Sequence, residues 1–276
     1  MDVRRSVALL GACVLCSAVS ASPILTTFEA TGSTPAAINP VVDAFRVAIG
    51  GGTVAGANGS FGGERREINW DGVPDARADP NLLPADFFNV NSPRGVEFST
   101  PGTGFLVSAD AGGATPVLFG FPNDFQTFSP QRLFTAVDSN ITDVSFFEPG
   151  TNTSATTSAF GLIFVDVEVA DLTKIEFFDN NNMLIYSRYA LVGGNQGLSF
   201  LGATVTGGAI SRVRITAGRN TIVSNGVLGN PNDDIVVMDD FIYAEPTAVA
   251  RVPEPATLAL LGVSLLGFAA TRRRSK

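Results

Sequence analysis

The densest cluster of polar side chains is Glu64-Arg65-Arg66-Glu67-Ile68-Asn69-Trp70-Asp71-Gly72, which contains the single tryptophan of the chain. An indole ring between an amide and a carboxylate suits a sugar site, because the ring stacks on the pyranose while Asn69 and Asp71 hydrogen-bond its hydroxyl groups. The same residues allow a structural interpretation, in which Arg65 pairs with Glu67 and Trp70 fills the edge of the sandwich. We hypothesise a glycan-binding loop at Asn69, Trp70 and Asp71, with the structural interpretation as the alternative.

Four aspartates, Asp233, Asp234, Asp239 and Asp240, lie around the last predicted strand. Strict alternation along a strand would place Asp239 and Asp240 on opposite faces, so that one carboxylate would point toward an apolar layer at a large cost. A calcium ion or an arginine partner would relieve that cost. The Asp-Asp pair and the aromatic and aliphatic residues that follow it resemble the final strand of carbohydrate-binding jelly rolls, many of which hold structural Ca²⁺. The resemblance implies calcium at Asp239 and Asp240, and a salt bridge or solvation at a strand edge is the alternative.

Several kinds of catalysis are excluded by composition. The chain has no histidine, and its two cysteines, Cys13 and Cys16, lie in an N-terminal apolar segment. Histidine-assisted nucleophiles, the usual zinc sites and disulfides in the exported part are therefore excluded. A glycosidase that uses two carboxylates, such as Glu67 and Asp71, remains an alternative. We expect a non-enzymatic protein.

The N-terminus predicts export. Two arginines precede an apolar stretch, residues 6–20, and small side chains lead up to Ser22. This order is typical of a signal peptide, and we expect signal peptidase to cut between Ala21 and Ser22 after passage through the general secretion machinery. Leu10-Gly11-Ala12-Cys13 resembles a lipobox, which would instead make Cys13 a lipidated N-terminus.

The C-terminus combines three features in order. Val252-Pro253-Glu254-Pro255 cannot be helical, because proline removes a donor and restrains the residue before it. The apolar residues 256–270 would form a helix of about 22 Å, short of a bilayer core of about 30 Å. It can still span, because the basic tail of Arg272, Arg273, Arg274 and Lys276 snorkels and marks the cytoplasmic side. On these grounds alone, an ordinary membrane anchor behind a proline-containing linker is the alternative.

These three parts resemble the PEP-CTERM sorting signal of exported proteins of Gram-negative bacteria, which is sometimes labelled an ice-binding protein C-terminal domain without implying ice binding. The resemblance implies that an exosortase is a partner and cuts near Pro253-Glu254-Pro255. It also implies transient anchoring in the inner membrane, followed by a place at the cell surface or in the extracellular, biofilm matrix. It covers about 25 residues and says nothing about the fold of the rest.

The charge of the exported part argues against nucleic acid as a partner. Removing Asp2 and the six bases at the two ends from 26 acids and 18 bases leaves 25 acids and 12 bases, a net charge of −13. Such a chain repels nucleic acid and anionic membranes and suits divalent cations.

The residues between the two signals are predicted to form strands. Short runs rich in β-branched and aromatic residues alternate with turn residues, at 95–98, 104–108, 117–121, 143–148, 159–167, 172–178, 184–190, 199–205, 210–217 and 235–243. Residues 172–190 predict a hairpin that turns at Asp179-Asn180-Asn181-Asn182, and Pro40 to Ile49 predicts a helix. The stretch from Gly50 to Asn91 lacks periodicity and is typical of a functional loop or surface wrap. We predict an all-β fold, a single β-sandwich of jelly-roll type.

The predicted organisation is a signal peptide at 1–21, the sandwich at 22–243, a linker at 244–251 and the sorting signal with its membrane helix at 252–276. The predicted function is that of a non-enzymatic surface or matrix module that binds extracellular polysaccharide. A structural surface protein that mediates protein contacts is the alternative.

Overall fold

The computed structural model describes residues 22–110, 112, 117–223, 227–228 and 234–249, and strands dominate this part. The strands are β1 (Ile24–Gly32), β2 (Ser60–Phe61), β3 (Arg65–Ile68), β4 (Val96–Ser99), β5 (Gly104–Val107), β6 (Phe134–Val137), β7 (Ile141–Phe146), β8 (Ala155–Thr156), β9 (Ala159–Val165), β10 (Lys174–Phe178), β11 (Leu184–Tyr189), β12 (Leu198–Thr206), β13 (Arg212–Thr216), β14 (Ile222–Val223), β15 (Val227–Leu228), β16 (Val237–Ala244) and β17 (Thr247–Ala248). The helices are α1 (Pro35–Ala48) and α2 (Phe87–Val90), with 3₁₀ turns at Ala57–Gly59, Asp75–Arg77 and Leu118–Gly120.

Two antiparallel sheets face each other. The large sheet has the order β1-β12-β9-β16-β3-β2, with β6 also on β16 and β5 on β6, and the small sheet has the order β11-β10-β13-β7-β4. Apolar side chains from the inner faces of the two sheets pack together in one core. The ring of Phe160 on β9 lies 6.3 Å from Phe146 on β7 and 6.5 Å from Phe177 on β10. The predicted β-sandwich is therefore confirmed.

The large sheet is also covered on its outer face. Every residue of β9 is buried, and its alternate side chains enter a second core that includes Phe45 of α1. The Phe45 ring reaches the sheet where Gly161 and Gly202 face each other, because a Cβ on Gly161 would meet Phe45 at 3.1 Å. The helix begins earlier than the predicted Pro40, with Pro35 in its first turn, a position that proline favours.

Most predicted strands lie where the structure has strands, and the hairpin of β10 and β11 is confirmed by their antiparallel pairing. The strand predicted at 117–121 is wrong. There the chain makes the 3₁₀ turn Leu118–Gly120, in which Phe119 takes a φ of 55° and buries its ring. The sequence did not predict the strands β1, β3 and β6, nor the two-residue strands β2, β8, β14, β15 and β17.

Both cores, and the pairings of all the strands named above, lie within residues 24–249. Every described strand therefore has its partner within this one continuous part of the chain. It extends into the predicted linker, because β17 pairs with β8 and Glu245 binds Arg66. In the described part of the chain, no helix is both long and apolar enough to cross a membrane.

Candidate functional site

Trp70 lies in the core between the sheets and is only 1% exposed. Its ring stacks on Phe134, with centroids 4.1 Å apart and planes 1° apart, and meets Phe241 edge-on at 5.0 Å. No face of the indole is free, so the predicted stacking of Trp70 on a sugar is wrong. Trp70 has a structural place, as the alternative interpretation expected, but it lies in the core and not at the edge of the sandwich.

Asn69 and Asp71 fix the turn that follows β3. The Asn69 amide donates to Asp71 Oδ2 at 2.9 Å, and Asp71 Oδ1 accepts the backbone N–H groups of Gln131 at 2.5 Å and Arg132 at 3.2 Å. Burial raises the pKa of Asp71, and these two N–H groups oppose the rise. The contacts tie the turn to the chain before β6 and account for both residues without a sugar.

Glu67 turns toward α1 and joins two arginines. Arg46 of α1 donates from Nε to Glu67 Oε1 at 2.9 Å and from Nη2 to Oε2 at 3.0 Å. Arg65 also donates from Nε to Glu67 Oε1, at 2.9 Å, as the structural interpretation expected of this pair. Charge-assisted bonds of this fork geometry are the stronger kind in proteins. Glu67 and Asp71 thus have separate partners, and no contact in the described structure joins them as a glycosidase pair.

Asp239 and Asp240 sit in a β-bulge. Along β16, Met238 faces Phe164 and Phe241 faces Leu162, so the two aspartates oppose a single residue of β9. On its other edge β16 changes partner here, from β6 at Met238 to β3 at Phe241.

The strict alternation predicted for this strand is therefore wrong. Met238 and Phe241 both enter the core between the sheets, whereas both aspartates face the layer of α1. An extra residue in one strand shifts the alternation of its side chains by one position. The residues after the bulge therefore face the side opposite to the one that strict alternation predicts.

Hydrogen-bond donors surround the two carboxyl groups. Asp239 Oδ2 accepts the N–H of Phe128 at 2.6 Å, and the Ser129 hydroxyl donates to Asp240 Oδ1 at 2.6 Å. Arg46 Nη2 lies 3.8 Å from Asp240 Oδ2. The arginine that the sequence offered as an alternative to calcium is thus present beside Asp240.

The pKa values of both aspartates are raised. Burial, followed by the charge of Asp240, raises the pKa of Asp239 well above its usual range. Burial raises the pKa of Asp240 to about 6, although the Ser129 hydroxyl opposes the rise. Because carboxyl groups this close titrate as a pair, the raised pKa values belong to the pair and not to either residue alone.

The two polar clusters of the sequence thus meet at Arg46, and Arg46, Arg65 and Glu67 line an open cleft. This Arg46–Glu67 cleft has a volume of about 580 Å³ and is lined by Asp43, Arg46, Val47, Gly51, Gly52, Thr53, Phe61, Arg65 and Glu67. The guanidinium of Arg65 lies 3.9 Å above the Phe61 ring and donates from Nη1 to the Gly52 carbonyl at 2.9 Å. The cleft therefore presents fixed donors and acceptors beside apolar surface.

A second open cleft, the Tyr189 cleft, lies beside the edge strand β11. It has a volume of about 510 Å³ and is lined by Ala170, Asp171 and residues 187–192. The Tyr189 side chain is 43% exposed there. The sequence prediction had singled out no residue of this cleft, nor had it singled out Arg46 or Ser129.

Among the described residues, no group of three or more Asp or Glu side chains is arranged to hold a metal ion. The calcium predicted at Asp239 and Asp240 stays a prediction. The predicted signal-cleavage residue Ala21, Asp233, the sorting residues Val252, Pro253, Glu254 and Pro255, and the basic residues Arg272, Arg273, Arg274 and Lys276 lie outside the described residues. Ser22 is the first described residue and is exposed.

The family model of the PEP-CTERM protein-sorting motif matches residues 251–274. No curated protein matches the chain.

Proposed function

From the premise that the chain carries a PEP-CTERM protein-sorting motif, we propose that residues 22–249 form a non-enzymatic module that binds extracellular polysaccharide in the Arg46–Glu67 cleft. The motif makes the chain an exported protein with a C-terminal sorting signal and makes exosortase its processing partner. The finer steps are proposals: removal of the signal peptide after Ala21, brief anchoring by the C-terminal helix, cleavage near Pro253-Glu254-Pro255, and retention at the cell surface.

The Arg46–Glu67 cleft is the observation that carries the binding proposal. Sugar sites combine apolar surface with a few fixed polar groups that meet hydroxyl groups. Here two guanidinium groups are held in place by Glu67, and Phe61 and the exposed Val47 supply apolar surface. Because Arg46 and Arg65 share their charge with Glu67 and Asp43, the cleft suits neutral hydroxyl groups better than a polyanion.

The absence of enzymatic activity is part of the proposal. Both oxygens of Glu67 accept bonds from guanidinium groups, and Asp71 holds a turn through two backbone N–H groups. Both carboxyl groups are thus engaged in other contacts, which supports a module without glycosidase activity.

The test is migration of residues 22–250 in gels that contain the polysaccharide of the producing bacterium. Val47 is 73% exposed in the cleft, so Val47→Glu should replace its apolar surface by a charge and abolish retardation without disturbing a core. Val54 is 79% exposed and does not line the cleft, so Val54→Glu is the matched control and should migrate as the unsubstituted domain does. Equal retardation of the unsubstituted domain and of the Val47→Glu variant would refute this site. Loss of retardation in a Tyr189→Ala variant but not in Val47→Glu would place binding in the Tyr189 cleft.

The edge of the small sheet favours the second candidate function, protein contacts at the surface. The strand β11 lies at this edge, where Met183 is 63% exposed and Leu184 is 52% exposed. An edge strand with exposed apolar residues can pair with another chain. If it does, the domain will show concentration-dependent association by light scattering, and Leu184→Lys will abolish that association. A monomer at all concentrations, with no partner retained, would contradict it.

A further inference from the structure

A small cavity, the Trp70–Arg94 cavity, lies between the turn that follows β3 and the segment that joins α2 to β4. It has a volume of about 20 Å³ and is lined by Asn69, Trp70, Gly72, Phe88, Ser92 and Arg94. A space of this size holds a water molecule or one small ion. It shares no lining residue with the Arg46–Glu67 cleft, so it is a separate site.

The indole N–H of Trp70 is a donor without an acceptor. The residue is 1% exposed, and its Nε1 is buried with no hydrogen-bond partner among the described residues. The four phenylalanine rings packed on the indole offer no oxygen atom. A buried donor of this kind commonly marks a bound water or ion. An occupant of the Trp70–Arg94 cavity that carries a lone pair would supply the missing acceptor.

Arg94 brings a positive charge to the same cavity, and no carboxylate balances it. Its Nε donates to the Glu67 carbonyl at 3.0 Å and its Nη1 to the Ser92 hydroxyl, and it forms no ion pair with any described residue. Arg66, the neighbouring cation, has its own carboxylate in Glu245, at 2.7 Å. Burial, together with the charge of Arg66, lowers the pKa of Arg94. An anion would therefore stabilise this half-buried charge more than a water molecule would.

The fold holds the guanidinium and the indole at the same cavity. The Arg94 N–H donates to the Phe88 carbonyl at 2.7 Å, and the Arg94 carbonyl accepts the Tyr243 hydroxyl at 2.9 Å. The Arg94 Cζ lies 5.2 Å from the centre of the Phe88 ring, and the same ring meets the Trp70 ring edge-on at 5.5 Å. Phe88 therefore lies against both side chains, and the site is formed before any ligand binds.

We propose that the Trp70–Arg94 cavity binds a small monovalent anion of the size of chloride, which accepts the indole N–H and pairs with the Arg94 guanidinium. Both groups only donate hydrogen bonds, so together they suit an anion and disfavour a metal cation. A bound anion joins the turn after β3 to the segment before β4. It acts apart from the polysaccharide that we propose for the Arg46–Glu67 cleft.

Fluorescence tests the proposal directly, because Trp70 is the only tryptophan of the chain. NaBr is titrated into residues 22–250, in which every described strand has its partner. Quenching of the Trp70 emission should saturate, and added NaCl should shift the curve to higher bromide concentrations. Acrylamide, a neutral quencher, should quench weakly, since the residue is 1% exposed. The net negative charge of the exported part keeps bromide from gathering at the surface in general.

Three variants show whether these two donors form the site. Arg94→Gln should weaken bromide binding by about tenfold or more, because a hydrogen bond from a charged group is lost. Arg77 is exposed and does not line the cavity, so Arg77→Gln removes the same charge elsewhere and should bind bromide as the unsubstituted protein does. Trp70→Phe lacks the N–H, so its Tm should rise less with NaCl than the Tm of the unsubstituted protein. Circular dichroism should show that all three keep the fold.

The unsubstituted protein alone can overturn the proposal. Quenching that stays linear in bromide concentration, or that NaCl does not reduce, would overturn it and leave water as the occupant of the cavity. Equal bromide affinity in Arg94→Gln and Arg77→Gln would overturn it as well. Arg94→Gln should keep its retardation by polysaccharide, because Arg94 does not line the Arg46–Glu67 cleft, and this keeps the result separate from the proposed function.

Discussion

The stability of the domain should fall as the pH rises from 4 to 7, and the Asp239–Asp240 bulge should be a large part of the cause. The folded pKa of Asp240 is about 6, against 3.8 for an exposed aspartate, so the folded protein holds this proton more tightly than the unfolded chain does. The stabilisation is fully present below pH 3.8 and is lost as the pH rises through about 6. Asp239 shifts in the same direction through burial and through the charge of Asp240.

A change in pKa of this size corresponds to about 3 kcal/mol in the free energy of unfolding. Asp240→Asn keeps the shape of the side chain and fixes it in an uncharged form, so it removes this dependence. Of the total, about 2 kcal/mol falls between pH 4 and pH 7, so urea unfolding at pH 4, 5, 6 and 7 should show a loss about 2 kcal/mol smaller in Asp240→Asn than in the unsubstituted domain. Asp166, whose pKa burial raises to about 7, titrates in both proteins and cancels in the comparison, whereas Asp239 loses the charge of Asp240 that raises its pKa and so adds to the difference in the same direction.

Groups with a lowered pKa make the stability rise with pH, which is the opposite dependence, and they do so at lower pH. Hydrogen bonds from Arg214 and Arg212 lower the pKa of Asp143 against its burial, so its contribution is present above the unfolded pKa and lost as the pH falls further. It does not disturb the interval from pH 4 to 7. Parallel pH profiles of the two proteins over that interval would refute the reasoning.

Three further predictions concern the core and the sorting motif. Trp70→Ala should cost about 3–5 kcal/mol of unfolding free energy by urea titration, because it opens a cavity against Phe134, while glycan affinity measured on the folded fraction stays unchanged. Loss of affinity without loss of stability would contradict the buried place of Trp70. Gly161→Ala should cost about 1–3 kcal/mol, because its Cβ would lie 2.9 Å from the Gly202 backbone, and an unchanged midpoint would contradict that contact. Replacing Pro253, Glu254 and Pro255 by Ala should leave the C-terminal segment attached, so an unchanged mature mass and location would rule out cleavage directed by this motif.

The features that the sequence predicted correctly are local ones. The sorting motif is a contiguous run, and the hairpin of β10 and β11 is set by alternation on both sides of an Asp-Asn turn. The sandwich follows from many short strands with regular turns. Each depends on neighbours within about 20 residues, where periodicity carries the information.

The errors arise from contacts that are distant in the sequence. The residues of β3 look like a charged loop, because their partners are Arg46 of α1 and Glu245 near the domain's end. Trp70 looks exposed between Asn and Asp, whereas the ring it stacks on belongs to β6, which the sequence did not predict. The bulge at Asp239 arises because β16 changes partner there, which no pattern within the strand indicates.

Hydrogen exchange of residues 22–250, with and without fragments of the producing bacterium's polysaccharide, tests the central claim most directly. If the Arg46–Glu67 cleft is the binding site, protection will appear in residues 43–53 and 60–67, and Val47→Glu will abolish it while Val54→Glu will not. Protection confined to residues 183–192, or the same protection in Val47→Glu, would contradict binding in this cleft.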